Sequence, residues 1–134
     1  MQDFARSMCK GSNFIILAHI NIRSLRNKVE EIKILLNICW FDILAITETY
    51  LDKKIDNRQL EIENYKIIRR DRTTGHVGGG CLIYISDNVC STCLKCLETA
   101  NIQGIWLKIS TKKNFFHPGK YISTPFRSKF LFAF

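Results

Sequence analysis

Residues 14–47 hold two short apolar runs around an amphipathic stretch, and this arrangement constrains the fold more than any other feature of the chain. The runs at 14–20 and 42–47 have the length of strands and are apolar enough to be buried on both faces. Four apolar residues between them recur at helical spacing: Leu25, Val29, Ile32 and Leu36. Ser24 is the expected helix N-cap. A strand, a helix and a strand within about 35 residues predict a βαβ unit with parallel strands.

Asn21 and Glu48 follow the two apolar runs. Because parallel strands of one βαβ unit end at the same edge of a sheet, we expect both side chains at that edge, where open α/β sheets bind ligands. An amide oxygen and a carboxylate are ligand types that suit a hard divalent cation. The pair therefore predicts the start of a metal site, while His19 is expected to be a packed or hydrogen-bonded core histidine.

The second half of the chain predicts further strands at 65–68, 81–85 and 102–109, separated by polar or charged segments. A glycine triplet, Gly78-Gly79-Gly80, precedes the strand at 81–85. Backbone N–H groups of such a triplet can bind a phosphate, but this one lacks the Lys-Ser/Thr of a P-loop and leads into a strand. A tight or bulged turn is the interpretation that we favour.

Three of the six cysteines, Cys90, Cys93 and Cys96, are spaced as C-x-x-C-x-x-C. That spacing is compatible with a metal or iron–sulfur site, but no fourth ligand stands at a suitable distance along the chain. Free thiols in a reducing compartment are therefore favoured. The sequence shows no apolar segment typical of a signal peptide or a membrane span, so we expect a nuclear or cytoplasmic protein that is not secreted.

The formal net charge of +8 is unevenly distributed. All 12 acidic residues lie at or before Glu98, whereas residues 99–134 contain six basic residues and no acidic one. A basic surplus favours polyanionic partners. The same residues, 99–134, also contain six of the nine phenylalanines. Aromatic residues between lysines and arginines are typical of surfaces that stack single-stranded nucleic acid. A terminal segment without a partner in this chain is the alternative, and we favour it.

Five segments stand in a characteristic order along the chain: HINIRSL at 19–25, KVEEI at 28–32, FDILAITETYL at 41–51, RDR at 70–72 and GGGCLIYI at 78–85. Taken together, their order and spacing resemble the endonuclease/exonuclease/phosphatase superfamily. The likeness is greatest to the apurinic-type endonuclease domain of non-LTR (LINE-type) retrotransposons. The segment at 102–109 fits the following strand more loosely, so the resemblance covers residues 14–110.

This resemblance implies an α/β fold of the DNase I type, a two-sheet sandwich with outer helices, and a Mg²⁺-dependent phosphodiesterase site that acts on DNA. In the family, the asparagine that ends the first strand and the glutamate that ends the second help to position the metal, and they correspond to Asn21 and Glu48. The family also uses an Asp that activates the attacking water and a His–Asp pair that stabilises the transition state. Arg70 and Arg72 are the candidate nucleic-acid contacts.

The last part of the chain departs from the family pattern. The family next shows Asp-x-Asn and then Ser-Asp-His, but here no Asp or Glu follows residue 98, and His117 has no acidic neighbour. We therefore expect an N-terminal extension at 1–13, the first half of the sandwich at 14–110, and a divergent basic tail at 111–134. The expected function is a truncated, catalytically inactive endonuclease domain. A non-catalytic nucleic-acid-binding remnant and a non-functional gene fragment remain as alternatives.

Overall fold

The computed structural model describes residues 15–72, 75, 77–95, 104–111 and 126–128. Over these residues the backbone forms seven strands, one α-helix and one 3₁₀ turn. The helix α1 is Val29–Ile38, and the 3₁₀ turn is Asn57–Gln59. The strands are β1 (Leu17–Asn21), β2 (Ile43–Thr47), β3 (Tyr65–Arg70), β4 (Cys81–Ser86), β5 (Cys90–Cys93), β6 (Leu107–Thr111) and β7 (Phe126–Ser128). The expected N-terminal extension, Cys96 and His117 lie outside the described residues, which include only parts of the tail.

The strands belong to two sheets, a four-stranded sheet in the order β1-β2-β4-β3 and a three-stranded sheet in the order β5-β6-β7. β1 and β2 are parallel, which confirms the predicted βαβ unit. β4 runs antiparallel to both of its neighbours, and the three-stranded sheet is antiparallel throughout. The described residues thus form a mixed α/β structure.

The crossover helix begins later than predicted. Ser24 does not cap it, because Ser24 has a left-handed φ of 84° and its N–H donates to the backbone oxygen of Glu48 at 2.8 Å. Lys28 occupies the N-cap position and provides no side-chain cap. Leu25, expected on the helix, lies in the turn before it and is fully buried there. Hydrogen bonds to the end of β2 therefore hold the residues after β1 in a non-helical conformation, and the helix begins only at Val29.

Apolar side chains cover both faces of the four-stranded sheet at its two central strands, β2 and β4. On one face, Ile32 and Leu36 of α1 belong to the same buried cluster as Leu44, and Tyr84 lies there as well. A second cluster joins the other face to the three-stranded sheet; its members include Ile43, Ala45, Ile83, Ile85, Leu107 and Ile109. Burial on both faces explains why the sequences of β2 and β4 are almost continuously apolar. Within the described residues, no helix is long and apolar enough to cross a membrane.

Several strands differ from their predicted extents: β1 is Leu17–Asn21 instead of 14–20, and β4 ends one residue later than predicted, at Ser86. β3 continues to Arg70, where a charged turn was expected, because Arg69 and Arg70 pair with residues of β4. β6 begins at Leu107, since residues 104–106 are described and are not in a strand. β5 was not predicted, because Cys-Ser-Thr-Cys has no apolar alternation and its strand depends on pairing with β6.

Candidate metal centre

The carboxyl ends of β1 and β2 meet at one edge of the four-stranded sheet. Asn21, the last residue of β1, pairs with Thr47, the last residue of β2, and Glu48 follows directly. The segments that follow β1 and β2 stay hydrogen-bonded to each other beyond the strands. The Ile22 N–H donates to the Thr47 backbone oxygen at 3.1 Å, and the Ser24 N–H donates to the Glu48 backbone oxygen at 2.8 Å. The backbone therefore brings the two sequence-predicted residues to the same edge, and their role as metal ligands stays a prediction.

Strained backbone is concentrated at this edge. Among the described residues other than glycine, five have a positive φ, and four of these lie just after β1 or β2: Arg23 (46°), Ser24 (84°), Glu48 (56°) and Tyr50 (55°). An L-residue in this region costs free energy and persists only where the surrounding structure determines the conformation. Here the backbone hydrogen bonds between the two connections supply that restraint. Such clusters of strain are typical of functional sites.

The glycine triplet lies against Glu48. The Gly79 N–H donates a hydrogen bond to Oε2 of Glu48 at 2.9 Å. The backbone oxygens of Gly79 and Gly80 accept from the N–H groups of Tyr50 and Thr49 at 3.1 and 3.2 Å. Both glycines have left-handed φ values of 93° and 84°. The backbone bends at Val77 and Gly78 and enters β4 at Cys81, so the triplet leads into a strand as its sequence predicts. Its contact with Glu48 is a feature that the sequence did not reveal, because the two segments are some thirty positions apart.

The donor set fits part of a magnesium site. Mg²⁺ commonly binds one or two carboxylates and fills its remaining positions with waters and phosphate oxygens. Glu48 supplies a half-buried carboxylate whose Oε1 accepts no hydrogen bond from any described residue, and the exposed Asn21 supplies an amide oxygen. In the part of the chain that the structure describes, no group of three or more His, Cys, Asp or Glu side chains could hold a metal ion. The pair thus has ligand types that suit magnesium but too few of them to complete a site among the described residues.

His19 is not the core histidine that its apolar neighbours suggested. Its side chain is exposed, and Nε2 lies 3.1 Å from Oγ1 of Thr47. The reason is the position of β1 at the edge of the four-stranded sheet, where Leu17, His19 and Asn21 all point to a face that the described residues leave exposed. The expectation of a hydrogen bond is met, and the expectation of burial is wrong.

Arg70 and Arg72, the candidate nucleic-acid contacts, are both half-buried and bonded within the fold. Nη1 of Arg70 donates to the backbone oxygen of Gly104 at 3.2 Å, which joins the end of β3 to the segment before β6. Nη1 of Arg72 donates to the backbone oxygen of Val77 at 3.2 Å, and Nη2 lies 3.8 Å from Asp52. These contacts give both arginines a structural role, and their contact with nucleic acid stays a prediction.

A cleft of about 900 Å³ lies beside this edge and is mostly charged. Its lining includes four basic and two acidic residues: Lys53, Lys54, Arg69, Arg72, Asp52 and Asp71. Arg69 is largely neutralised, since it donates two hydrogen bonds of 2.7 Å to Asp71. The backbone N–H of Lys54 and the charges of Arg26, Lys54 and Arg72 lower the pKa of Asp52, against the opposing effect of burial. The sequence analysis did not identify this cleft, which forms only when the loop after β2 packs against β3.

A mixed α/β structure with this site at its sheet edge is consistent with part of a DNase I-like nuclease fold. Among solved structures, the chain is similar to the AP endonuclease LMAP from Leishmania major, with a TM-score of 0.52 and 14% sequence identity. The match covers 72% of this chain and 34% of that one, so the chain spans about a third of the length of that structure. No family model matches the chain, and no curated protein matches it. At this identity the likeness shows the fold alone.

Proposed function

We propose that the chain is an endonuclease-like domain of retroelement origin, with a two-sheet DNase I-like fold, whose Asn21 and Glu48 hold Mg²⁺ against a DNA phosphate. One observation carries the proposal: the β1–β2 register places Asn21 opposite the residue before Glu48. Both proposed oxygen ligands thus lie at the same edge of the sheet. The order of the five resembling segments supports the retroelement origin, and a neighbour that is an AP endonuclease supports DNA as the partner.

The residues of the chain prepare this edge for a cation. Strained backbone at Glu48 and the hydrogen bond from Gly79 hold the carboxylate before any ligand binds, which reduces the ordering cost of binding. Asn21 adds an oxygen without adding a second negative charge, so no like-charge repulsion opposes the pair. A bound Mg²⁺ would polarise a phosphoryl oxygen and stabilise the charge that develops on it.

We further propose that these 134 residues do not hydrolyse DNA by themselves. The family mechanism needs an Asp to activate water and a His–Asp pair to stabilise the transition state. Residues 99–134 contain no Asp or Glu from which such groups could come. The proposed site would thus have Asn21 and Glu48 on its first side and lack the carboxylates of its second side.

The proposal is tested with purified protein, supercoiled or abasic-site plasmid DNA, and Mg²⁺ or Mn²⁺. We expect no nicking above the rate in buffer alone. We also expect the wild type to bind Mn²⁺, and Glu48→Ala to lose this binding. Glu63→Ala is the matched control, because Glu63 is exposed and lies in a loop, and it should keep the binding. Nicking that disappears in Glu48→Ala would overturn the inactive assignment. Mn²⁺ affinity that is equal in the two variants would overturn the metal site.

Non-catalytic nucleic-acid binding is a second candidate, favoured by the surplus of basic residues after residue 98. Phosphate contacts release counterions, so binding through these residues weakens steeply with salt. Under this alternative, changing Lys112 and Lys113 together to Gln weakens binding to single-stranded DNA and makes the salt dependence shallower. Binding that does not change with salt, or that Lys112→Gln/Lys113→Gln leaves unchanged, would count against it.

A further inference from the structure

We propose that Gly78 and Gly79 are positioning residues for the Glu48 carboxylate, and that a side chain at position 78 would displace that carboxylate. Gly79 acts through its N–H, and Gly78 acts through the space that its missing Cβ leaves. The consequence for cation binding rests on the function proposed above, whereas the contact itself does not. The glycine triplet, which the sequence explains only as a turn, thereby gains a specific role.

A hydrogen bond from Gly79 holds one oxygen of the Glu48 carboxylate. An N–H that donates to an ionised carboxylate makes a charge-assisted bond, which is stronger than one between neutral groups. The Gly79 N–H binds Oε2 of Glu48 at 2.9 Å and so fixes one of the two carboxylate oxygens. Among the described residues, nothing donates to Oε1, so this oxygen keeps its lone pairs for a cation.

A side chain at position 78 would clash with the Glu48 carboxylate. A Cβ built on Gly78 would lie 2.9 Å from Oε2 of Glu48 and 3.5 Å from Cε1 of Tyr50. Real Cβ atoms essentially never approach a neighbour within 3.0 Å, so the carboxylate would have to move. Gly78 itself, unlike Gly79 and Gly80, does not have a left-handed φ. Alanine at 78 is therefore compatible with the backbone, and the close contact with Glu48 is what requires glycine there.

The backbone of Glu48 is held in place and cannot move to relieve this clash. Its carbonyl accepts from the Ser24 N–H at 2.8 Å, and the next residue, Thr49, donates to the Gly80 oxygen at 3.2 Å. Thr49 is also fully buried. The flexible end of the Glu48 side chain must move instead, which breaks the bond to Gly79 and changes the direction in which Oε1 points.

Mn²⁺ binding to the full 134-residue chain, followed by electron paramagnetic resonance, tests the consequence. Removing a group that orients a metal ligand typically weakens metal binding about 10- to 100-fold, and we expect Gly78→Ala to do the same. Gly75→Ala is the control, because a Cβ there meets nothing within 4 Å. It should change the affinity less than twofold. Gly78→Ala should add nothing in a Glu48→Gln background, since the effect passes through that carboxylate.

An NMR measurement separates failure of this inference from failure of the proposed function. In the wild type, the Gly79 amide should exchange slowly with solvent because it is bonded to Glu48, and this protection should be lost in Glu48→Ala and in Gly78→Ala. If Mn²⁺ binding does not depend on Glu48 while the Gly79 amide is protected through Glu48, the proposed function fails and the positioning contact stands. A Gly79 amide whose protection Glu48→Ala leaves unchanged, or wild-type Mn²⁺ affinity in a Gly78→Ala protein that binds through Glu48, would overturn the inference.

Discussion

Asn21 lies opposite Thr47 in the parallel pairing of β1 with β2, one register position before Glu48. The segments after both strands then adopt left-handed backbone conformations, at Arg23 and at Glu48. These two segments also remain bound to each other through main-chain hydrogen bonds. The two side chains are thus attached to one stiff piece of backbone, and their relative placement follows from the sheet and does not depend on a mobile loop.

The first prediction concerns Asn21. Asn21→Ala removes one of the two proposed oxygen ligands, and we expect Mn²⁺ affinity to fall about tenfold, which corresponds to about 1.4 kcal/mol. Because Asn21 is exposed, the free energy of unfolding should change by less than about 0.5 kcal/mol. Mn²⁺ titration and urea denaturation measure the two effects. Asn27→Ala, at an exposed position in the turn before α1, should change neither quantity. An unchanged affinity in Asn21→Ala would remove Asn21 from the site.

The second prediction concerns Gly80, which packs against Thr49. A Cβ at Gly80 would lie 2.7 Å from Oγ1 of Thr49 and 3.2 Å from the backbone nitrogen of Arg72, and its φ is 84°. Because a buried clash adds to the strain of a left-handed alanine, Gly80→Ala should lower the free energy of unfolding by about 3 kcal/mol. Gly75→Ala has the strain without the clash and should cost about 1 kcal/mol. Equal losses in urea denaturation would contradict this account.

The βαβ unit and the edge that carries Asn21 and Glu48 were predictable, because both depend on local signals. The apolar runs have strand length, the helical stripe has a period of 3.6, and parallel strands of one crossover must end together. Each of these signals lies within a stretch of some 35 residues. The N-cap was not predictable, because Ser24 has the right chemistry but is held by the Glu48 carbonyl across the sheet edge.

The features that escaped prediction depend on contacts between distant segments. The contact of Gly79 with Glu48 spans 31 positions, and no local pattern reports it. β5 is a strand because β6 pairs with it, although its own residues have little strand character. The exposure of His19 follows from the place of β1 in the strand order. The sequence around His19, which is apolar on both sides, indicates the opposite.

The third prediction concerns Tyr84, whose buried hydroxyl donates to the backbone oxygen of Leu60 at 2.7 Å. Tyr84→Phe leaves that carbonyl without its donor and should lower the free energy of unfolding at pH 7 by about 1–2 kcal/mol. Burial raises the pKa of Tyr84 to about 12, from the ordinary value of 10.0. The folded protein therefore keeps a proton that the unfolded chain loses, and wild-type stability should fall between pH 10 and 12.

Urea denaturation at pH 7, 9 and 11 separates the two effects of Tyr84. Tyr84→Phe should show a shallower decline between pH 9 and 11 than the wild type. Part of the decline should remain, because burial, aided by the charge of Asp42, also raises the pKa of Tyr65. A Tyr84→Phe protein whose stability declines as steeply as the wild type would contradict the assignment of this pH dependence to Tyr84.

The last prediction concerns Asp52, which accepts from the Lys54 N–H at 2.9 Å and lies 2.5 Å from Arg26. These contacts lower its pKa in the folded state, so its ionised form stabilises the protein above the ordinary pKa of 3.8. That contribution is lost as the pH falls through the lowered pKa. Asp52→Asn keeps an oxygen for Lys54 and removes only the charge. It should therefore be less stable than the wild type at pH 7, by an amount that shrinks in 1 M salt and at pH 2 to 3.

The matched control for Asp52→Asn is Asp56→Asn. Asp56 also accepts a backbone N–H, from Arg58 at 3.0 Å, but its carboxylate forms no ion pair within the part of the chain that the structure describes. Its substitution should have an effect that salt does not change. Because an exposed ion pair is screened whereas a turn hydrogen bond is not, the salt dependence distinguishes the two carboxylates. A loss in Asp52→Asn that is the same in 0.05 M and 1 M salt would show that the turn, and not the charge of Asp52, holds this loop.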